Sequence, residues 1–252
     1  FREANRRVYD DTRSRIVIDD AKSYFASAGR RFDLIMSEPS NPWVSGVSGL
    51  FTDEFYTRVK RYLADDGVFG QWLHLYEIDD DLVAFVIAAI HRNFPAYEIF
   101  FTSSVDILIV ATPASHLRDP DWSVAAYPGI AGDLARFRQL SPAVFEALRV
   151  VNRAVLAPFI ESGLPVNSDF RPYLDLAAEK ARFDHSRATA FIGLGNDRFP
   201  LGLVLAGRRT PFGTDYAPTL EINRTEDLAL GAALHAGIAP PDTGTEADAL
   251  RR

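Results

Sequence analysis

The sequence predicts an α/β fold with a doubly wound sheet, and three observations carry that expectation. Apolar, β-branched runs alternate with amphipathic stretches through the first 112 residues; acids open the amphipathic stretches and bases close them; and polar side chains gather where the apolar runs end. With 252 residues, 47% hydrophobic and 24% charged, the chain can bury a real core as one domain or two.

The elements follow in order. "FREANRRVYDD" reads as a helix. "SRIVIDDA" and, some way on, "RRFDLIMSEP" each place a β-branched or apolar run before acids and read as buried strands, with a short helix "KSYFASAG" between them ending at Gly29. Beyond a Pro, Ser and Asn turn, Leu50, Phe51, Phe55, Val59 and Leu63 fall at helical spacing. Asp53 and Glu54 stand in its first turn, Lys60 and Arg61 near its end, and Gly67 is expected to stop it. "GVFGQWLHL" is the next strand. "DDDLVAFVIAAIHRNFP" is a helix with three acids at its start, His91 and Arg92 at its end and Pro95 beyond. "AYEIFFTS" and "DILIVATP", separated by a short polar link, form an antiparallel pair expected at a sheet edge.

Past Pro113 the segments become shorter and amphipathic: "DLARFRQL", "SPAVFEALRVVNRAVLAPFIESG" and "DLAAEKARF". In the second, Pro142 follows a capping serine, and Val144, Phe145, Leu148 and Val151 make an apolar helical stripe. Asp169, in "VNSDFRPYLDL", either stabilises an Asx turn or lies over a crevice, and the turn is favoured. "FIGLGNDRFPLG" at 191–202 lacks the glycine spacing of a dinucleotide loop and reads as a loop. "TEDLALGAALHAG" is helix-like within a polar tail, and one such unit establishes no repeat. The expected organisation is thus an α/β region over 1–112, a helical extension over 113–190 and a helical or partly disordered tail over 191–252.

Composition excludes several functions. A net charge of −7 and a pI near 5.3 argue against a nucleic-acid binder. The absence of cysteine removes disulfides and thiolate metal sites and fits a reducing compartment. The longest apolar stretches, Leu82 to Ile90 and Phe199 to Gly207, are about half of the roughly 20 residues that span a bilayer. Histidines 74, 91, 116, 185 and 235 lack metal-ligand spacing, so no metal is expected. No G-x-S-x-G elbow is present, and Ser45 and Ser48 read as flexible covering residues rather than nucleophiles. The chain opens without Met or a targeting segment, and a piece of a longer protein is expected.

In doubly wound sheets ligands sit beyond the carboxyl ends of the strands, where Asp19, Asp20, Ser37, Glu38 and Gln71 to His74 would gather. Asp20 is equally suited to capping the following helix. Glu38, between an apolar strand and a Pro turn, has no helix of its own to cap, and function is the better reading.

These residues resemble the spermidine synthases, or polyamine aminopropyltransferases, through the first 112 positions. The resemblance is carried by the turn Glu38, Asn41, Pro42, by Leu50, Phe51, Glu54, Phe55 and Tyr56 beyond a small-residue loop, and by "DGVFGQWLHL". The spelling "SEPSNPWVSGVSGLFT", with "VNSDFRPYLDL", is most similar to a bacterial branch in which this domain is often fused to a membrane-spanning segment. The resemblance implies a Rossmann-like, methyltransferase-type sheet lacking its first strands, because the family's glycine-rich loop and ribose-binding acid would precede Phe1; this chain alone is then expected to be inactive.

It also implies roles. Glu38 matches the acid that binds and deprotonates the attacking amine, one methylene longer than the usual Asp. Asn41 replaces a second acid and can accept a hydrogen bond from an ammonium group without neutralising it. Asp20 and Ala21 match the positions that contact the nucleoside's adenine, and Ser37 is grouped with them. Gln71 or Trp72 lines the amine pocket, with Tyr76 and His74 as neighbours. The implied co-substrate is decarboxylated S-adenosylmethionine, or S-adenosylmethionine, without metal; the partner is a small amine, with a homodimer and a cytoplasmic location expected, as a separate protein or as part of a membrane protein. Three function readings result. The leading one is aminopropyl transfer to an acceptor such as putrescine; the others are methyl transfer on the same fold and a noncatalytic polyamine- or nucleoside-binding module.

Overall fold

The structure is a computed structural model that describes residues 8–136 and 148–195. It falls into two compact units, Phe1–Arg31 and Phe32–Arg252.

In the first unit a helical turn at 8–10 precedes helix α1 (Ala21–Ala28). Asp20 is its N-cap, extended at φ −66° and ψ 128°, and its carboxylate accepts from the Ser23 N–H at 2.9 Å. That bond holds the Asp20 carboxyl below the usual range. Gly29 ends the helix at φ +60°, the left-handed position expected of it. The run 15–18, expected as a buried strand, is not one: it takes part in no ladder among the described residues, and Ile16, Val17 and Ile18 are exposed. Apolar β-branched residues favour extended backbone, but a strand exists only where a neighbour supplies the hydrogen bonds.

The second unit is built on a five-stranded mixed sheet. Its elements are β1 (Phe32–Ser37), a 3₁₀ turn (Ser48–Leu50), α2 (Asp53–Tyr62), β2 (Leu63–His74), α3 (Asp80–Asn93), β3 (Ala96–Ser103), β4 (Asp106–Thr112), a second 3₁₀ turn (Trp122–Ala126), α4 (Pro128–Arg136), β5 (Arg149–Asn152), α5 (Arg153–Ile160), α6 (Tyr173–Phe183) and α7 (Thr189–Gly195). The strand order is β1-β2-β4-β3-β5. Among the described strands β1 and β2 pair in parallel, β4 runs antiparallel to β2, and β3 to both β4 and β5.

Helix capping is as the charges indicated. Thr52 caps α2 through Phe55 N–H at 3.3 Å, with Asp53 and Glu54 in the first turn and Lys60 and Arg61 in the last. Asp79 caps α3 through Leu82 N–H at 2.9 Å. Gly67, however, does not stop α2. The helix ends at Tyr62 because Leu63 turns extended at φ −80° and ψ 147° while its N–H still reaches Val59, and the strand begins at once. Gly67 lies inside β2 where the register slips, between the pairs Phe32↔Leu63 and Leu34↔Val68. A Cβ there would sit 3.0 Å from the Phe32 carbonyl oxygen and 3.1 Å from backbone atoms of Ala64.

The β3–β4 pair is antiparallel as expected, but it is not the sheet's margin. β4 lies inside the sheet, and β5 covers β3. The β5 residues, including Val151 of the expected helical stripe, are strand because the open backbone of β3 offers a ladder to a β-branched pair. Arg149 anchors that ladder through both carboxylate oxygens of Glu98, at 2.9 and 2.8 Å. Leu148 belongs to this approach: its carbonyl accepts from Phe101 N–H at 2.9 Å. Val144 and Phe145 of that stripe, and residues 196–252 of the tail, lie outside the described residues. The glycine-containing run expected as a loop begins instead inside α7, whose Ala190 and Phe191 N–H groups donate to Asp80.

Alternation separates the faces of the sheet. One carries Ile35, Phe69, Gln71, Leu73, Tyr97, Ile99, Phe101, Ile107, Ile109 and Ala111, all buried. Phe69 there stacks on Phe94 at 5.6 Å and meets Tyr56 of α2 edge-on. On the other, Leu34 and Met36 are 58% and 55% exposed, so the described residues do not cover β1 on both faces as the apolar run suggested.

Candidate functional site

β1 and β2 are parallel, so their carboxyl ends share one edge of the sheet, with Ser37 paired to Gln71. Glu38 is the first residue beyond β1. Its side chain is exposed, and no hydrogen bond or ion pair joins it to another described residue. Asn41 is half-buried, and its carbonyl closes a turn by accepting from Val44 N–H at 2.9 Å. The turn delivers Trp43 to the end of β2.

Strand alternation settles where Gln71 and Trp72 face. Gln71 points to the helix-covered side and is fully buried; its amide donates to the Trp72 carbonyl at 2.9 Å and to the Ser37 carbonyl at 3.4 Å, and it accepts from the Tyr56 hydroxyl at 3.4 Å. Burial raises the Tyr56 hydroxyl well above its ordinary pKa, so it remains a donor. Trp72 turns to the opposite face with His74 and Tyr76.

There the structure builds an aromatic cluster around His74. The imidazole centroid lies 4.9 Å from Trp43 with planes at 75°, 4.8 Å from Tyr76 and 5.6 Å from Trp72. His74 is wholly buried, and neither ring nitrogen has a hydrogen-bond partner among the described residues. Burial lowers its pKa to about 4, so the ring is neutral at pH 7, with one N–H donor and one acceptor nitrogen.

A second layer holds the loop between Glu38 and α2. Asn167, almost fully buried, donates from Nδ2 to the Phe51 carbonyl at 2.8 Å and accepts from Leu174 N–H at 3.0 Å. Its own carbonyl accepts from Asp53 N–H at 2.9 Å. The Thr52 hydroxyl donates to Asp169 at 2.8 Å, and the Ser48 hydroxyl to Asp175 at 2.6 Å. Ser48 is therefore a buried, bonded residue rather than a flexible cover. Nor does Asp169 make the Asx turn expected of it: Ser168 closes that turn by accepting from Arg171 N–H, which leaves the Asp169 carboxylate for Thr52.

The sequence reading missed Trp43 and Asn167 as organisers. Trp43 gave a faint signal, as a large aromatic in an otherwise small-residue loop. Asn167 gave none beyond its place in "VNSDFRPYLDL", since two of its partners, Phe51 and Asp53, lie more than 100 positions away in the chain. Asp20 and Ala21 belong to the first unit and Ser37, Glu38, Asn41, Gln71, Trp72 and Tyr76 to the second. Among the described residues no group of His, Asp and Glu is placed to hold a metal ion, and no helix is long and apolar enough to cross a membrane.

Fold and site together define an α/β protein with a polar, aromatic-lined strand edge of the kind that holds small molecules. Over residues 1–108 the chain matches the family model of the spermine/spermidine synthase domain. A polyamine aminopropyltransferase of Erwinia tasmaniensis is 42% identical over 65 residues, covering 26% of this chain and 22% of the relative. That of Aeropyrum pernix is 30% identical over 126 residues, covering 48% and 40%. The chain thus spans well under half the length of these relatives. A probable spermidine synthase from Corynebacterium glutamicum superposes with a TM-score of 0.40 at 15% identity, covering 63% of this chain and 55% of that one.

Proposed function

We propose that this chain is the acceptor-binding portion of an aminopropyltransferase, with Glu38 activating the amine. The observation that carries the reading is Glu38 itself: an exposed carboxylate without a partner among the described residues, directly beyond β1, inside the family-matched segment. In the transfer, the nitrogen of a neutral amine attacks the carbon next to the sulfonium of decarboxylated S-adenosylmethionine. The C–N bond forms as the C–S bond breaks, the sulfur leaves as a neutral thioether, and the proton lost from nitrogen passes to Glu38. A carboxylate suits both parts of this task, since it attracts the ammonium form and accepts its proton. The resemblance assigns Asp20 and Ala21 to the nucleoside, and Asn41, Trp72 and Tyr76 to the amine. Gln71 serves by holding the end of β1 against β2, its amide already bonded within the sheet.

Asn41 supports a second reading, methyl transfer from S-adenosylmethionine, because an amide cannot neutralise a second ammonium group. Turnover by the full-length protein with each donor and a panel of amines decides between them, with Glu38→Gln as control. Aminopropylated product that falls at least about 100-fold in the variant supports the proposal; methylated product alone, or an undiminished variant, overturns it. The family resemblance adds a cytoplasmic setting and a homodimer to this reading, the latter checked by sedimentation.

A further inference from the structure

Trp43 has a second side. Away from His74 it walls a cleft of about 640 Å³ lined also by Glu77, Glu179, Arg182, Phe183 and His185. The cleft already holds a cation of the chain's own: the Arg182 guanidinium lies over the Trp43 ring, 5.4 Å from its centroid, and reaches Glu77 at 3.9 Å. The contact is loose, since the Arg182 side chain is 59% exposed and the ion pair is at the limit of its range. Behind the indole stands His74, buried with two nitrogens that no described residue satisfies. An imidazole buried in that way is an unusual expense of stability unless something comes to bond it. Trp43 is therefore the partition between an aromatic, carboxylate-lined cleft and an orphaned hydrogen-bonding group, and it is carried on the same loop as Glu38 and Asn41.

We propose that this cleft anchors the distal ammonium group of a long acceptor amine, which first takes the place of Arg182 over Trp43 and then passes to His74 as the indole turns aside. The inference rests on the amine reading above and explains how a chain with Asn41 in place of a second acid still holds a doubly charged acceptor. The indole face, Glu77 and Glu179 supply the attraction, and the neutral imidazole accepts a hydrogen bond from the ammonium. A triamine, which carries one more ammonium group than a diamine, is favoured over a short diamine as the acceptor that can occupy Glu38 and the cleft together.

The test is calorimetric titration of the full-length protein with spermidine, putrescine and n-butylamine. Glu77→Gln combined with Glu179→Gln is expected to weaken spermidine about tenfold and leave n-butylamine unchanged, whereas Arg182→Ala, by removing the resident cation, is expected to tighten spermidine several-fold. The His74 ring nitrogens are expected to shift in NMR spectra on adding spermidine but not n-butylamine. Loss of spermidine affinity in Arg182→Ala, indifference to the two Glu changes, a silent His74, or no spermidine binding at all overturns the proposal. Glu38→Gln separates the two readings: undiminished turnover there sinks the transfer proposal while the cleft titrations still report on the anchor.

Discussion

The His74 imidazole stands edge-on to the Trp43 indole at 4.9 Å, with both of its nitrogens unpartnered among the described residues in a fully buried site. The folded protein keeps this ring neutral down to about pH 4, whereas the unfolded chain protonates it near 6.5. Between those values the unfolded state binds more protons, so this group makes stability fall as pH drops from 6.5 to 4, by about 3 kcal/mol, and adds no further loss below. Urea denaturation across that window is expected to show the slope, and His74→Phe to remove it. At pH 7 the same variant is expected to be as stable as the parent or about 1 kcal/mol more so, because two unsatisfied polar atoms disappear.

Asn167→Ala is expected to destabilise by about 2–3 kcal/mol. The Phe51 carbonyl and the Leu174 N–H each lose their bond to the Asn167 side chain in a dry site. The drop in urea midpoint at unchanged slope would measure it. A loss below half a kcal/mol would show that water replaces the amide.

For Thr52 the comparison is between two substitutions. Thr52→Ser keeps both the cap to Phe55 and the bond to Asp169, and should cost little. Thr52→Ala loses both and should cost about 1–2 kcal/mol. Equal stability of the two variants in thermal unfolding would refute the cap.

Two glycines of β2 are expected to respond differently to alanine. At Gly70 the new methyl meets the Sδ and Cε of Met36, the flexible end of an exposed side chain that can swing away, so the cost is under about 1 kcal/mol. At Gly67 it meets only backbone, from Phe32 and Ala64, which cannot retreat without spoiling the β1–β2 register; about 1–3 kcal/mol is expected. Reversal of that order in denaturation midpoints would contradict the packing described.

The helices were legible because their signals are local. Thr52, Asp79 and Asp20 each cap within three residues of themselves, and the acids and bases of α2 and α3 answer the helix dipole directly. The strands were legible only where a partner exists. The run 15–18 has the composition of a strand and no ladder among the described residues, while β5 was hidden in an amphipathic run until β3 supplied one. At the candidate site the carboxylate beyond β1 could be read from the Pro turn that follows it. Which way Gln71 and Trp72 face depended on a register that sequence does not specify, and the isolation of His74 depends on three rings, one of them delivered by a different loop.

The bond from Thr52 to Asp169 also sets a schedule. The two residues are 117 positions apart, and at bacterial or slower rates of synthesis the ribosome needs on the order of ten seconds to travel from one to the other. Throughout that interval the segment between Glu38 and α2 is already made but has no Asn167, Asp169 or Asp175 to hold it. The strand-edge chemistry of this protein is thus encoded early and assembled late, and a nascent chain carries its most function-bearing loop unsecured until the far segment arrives.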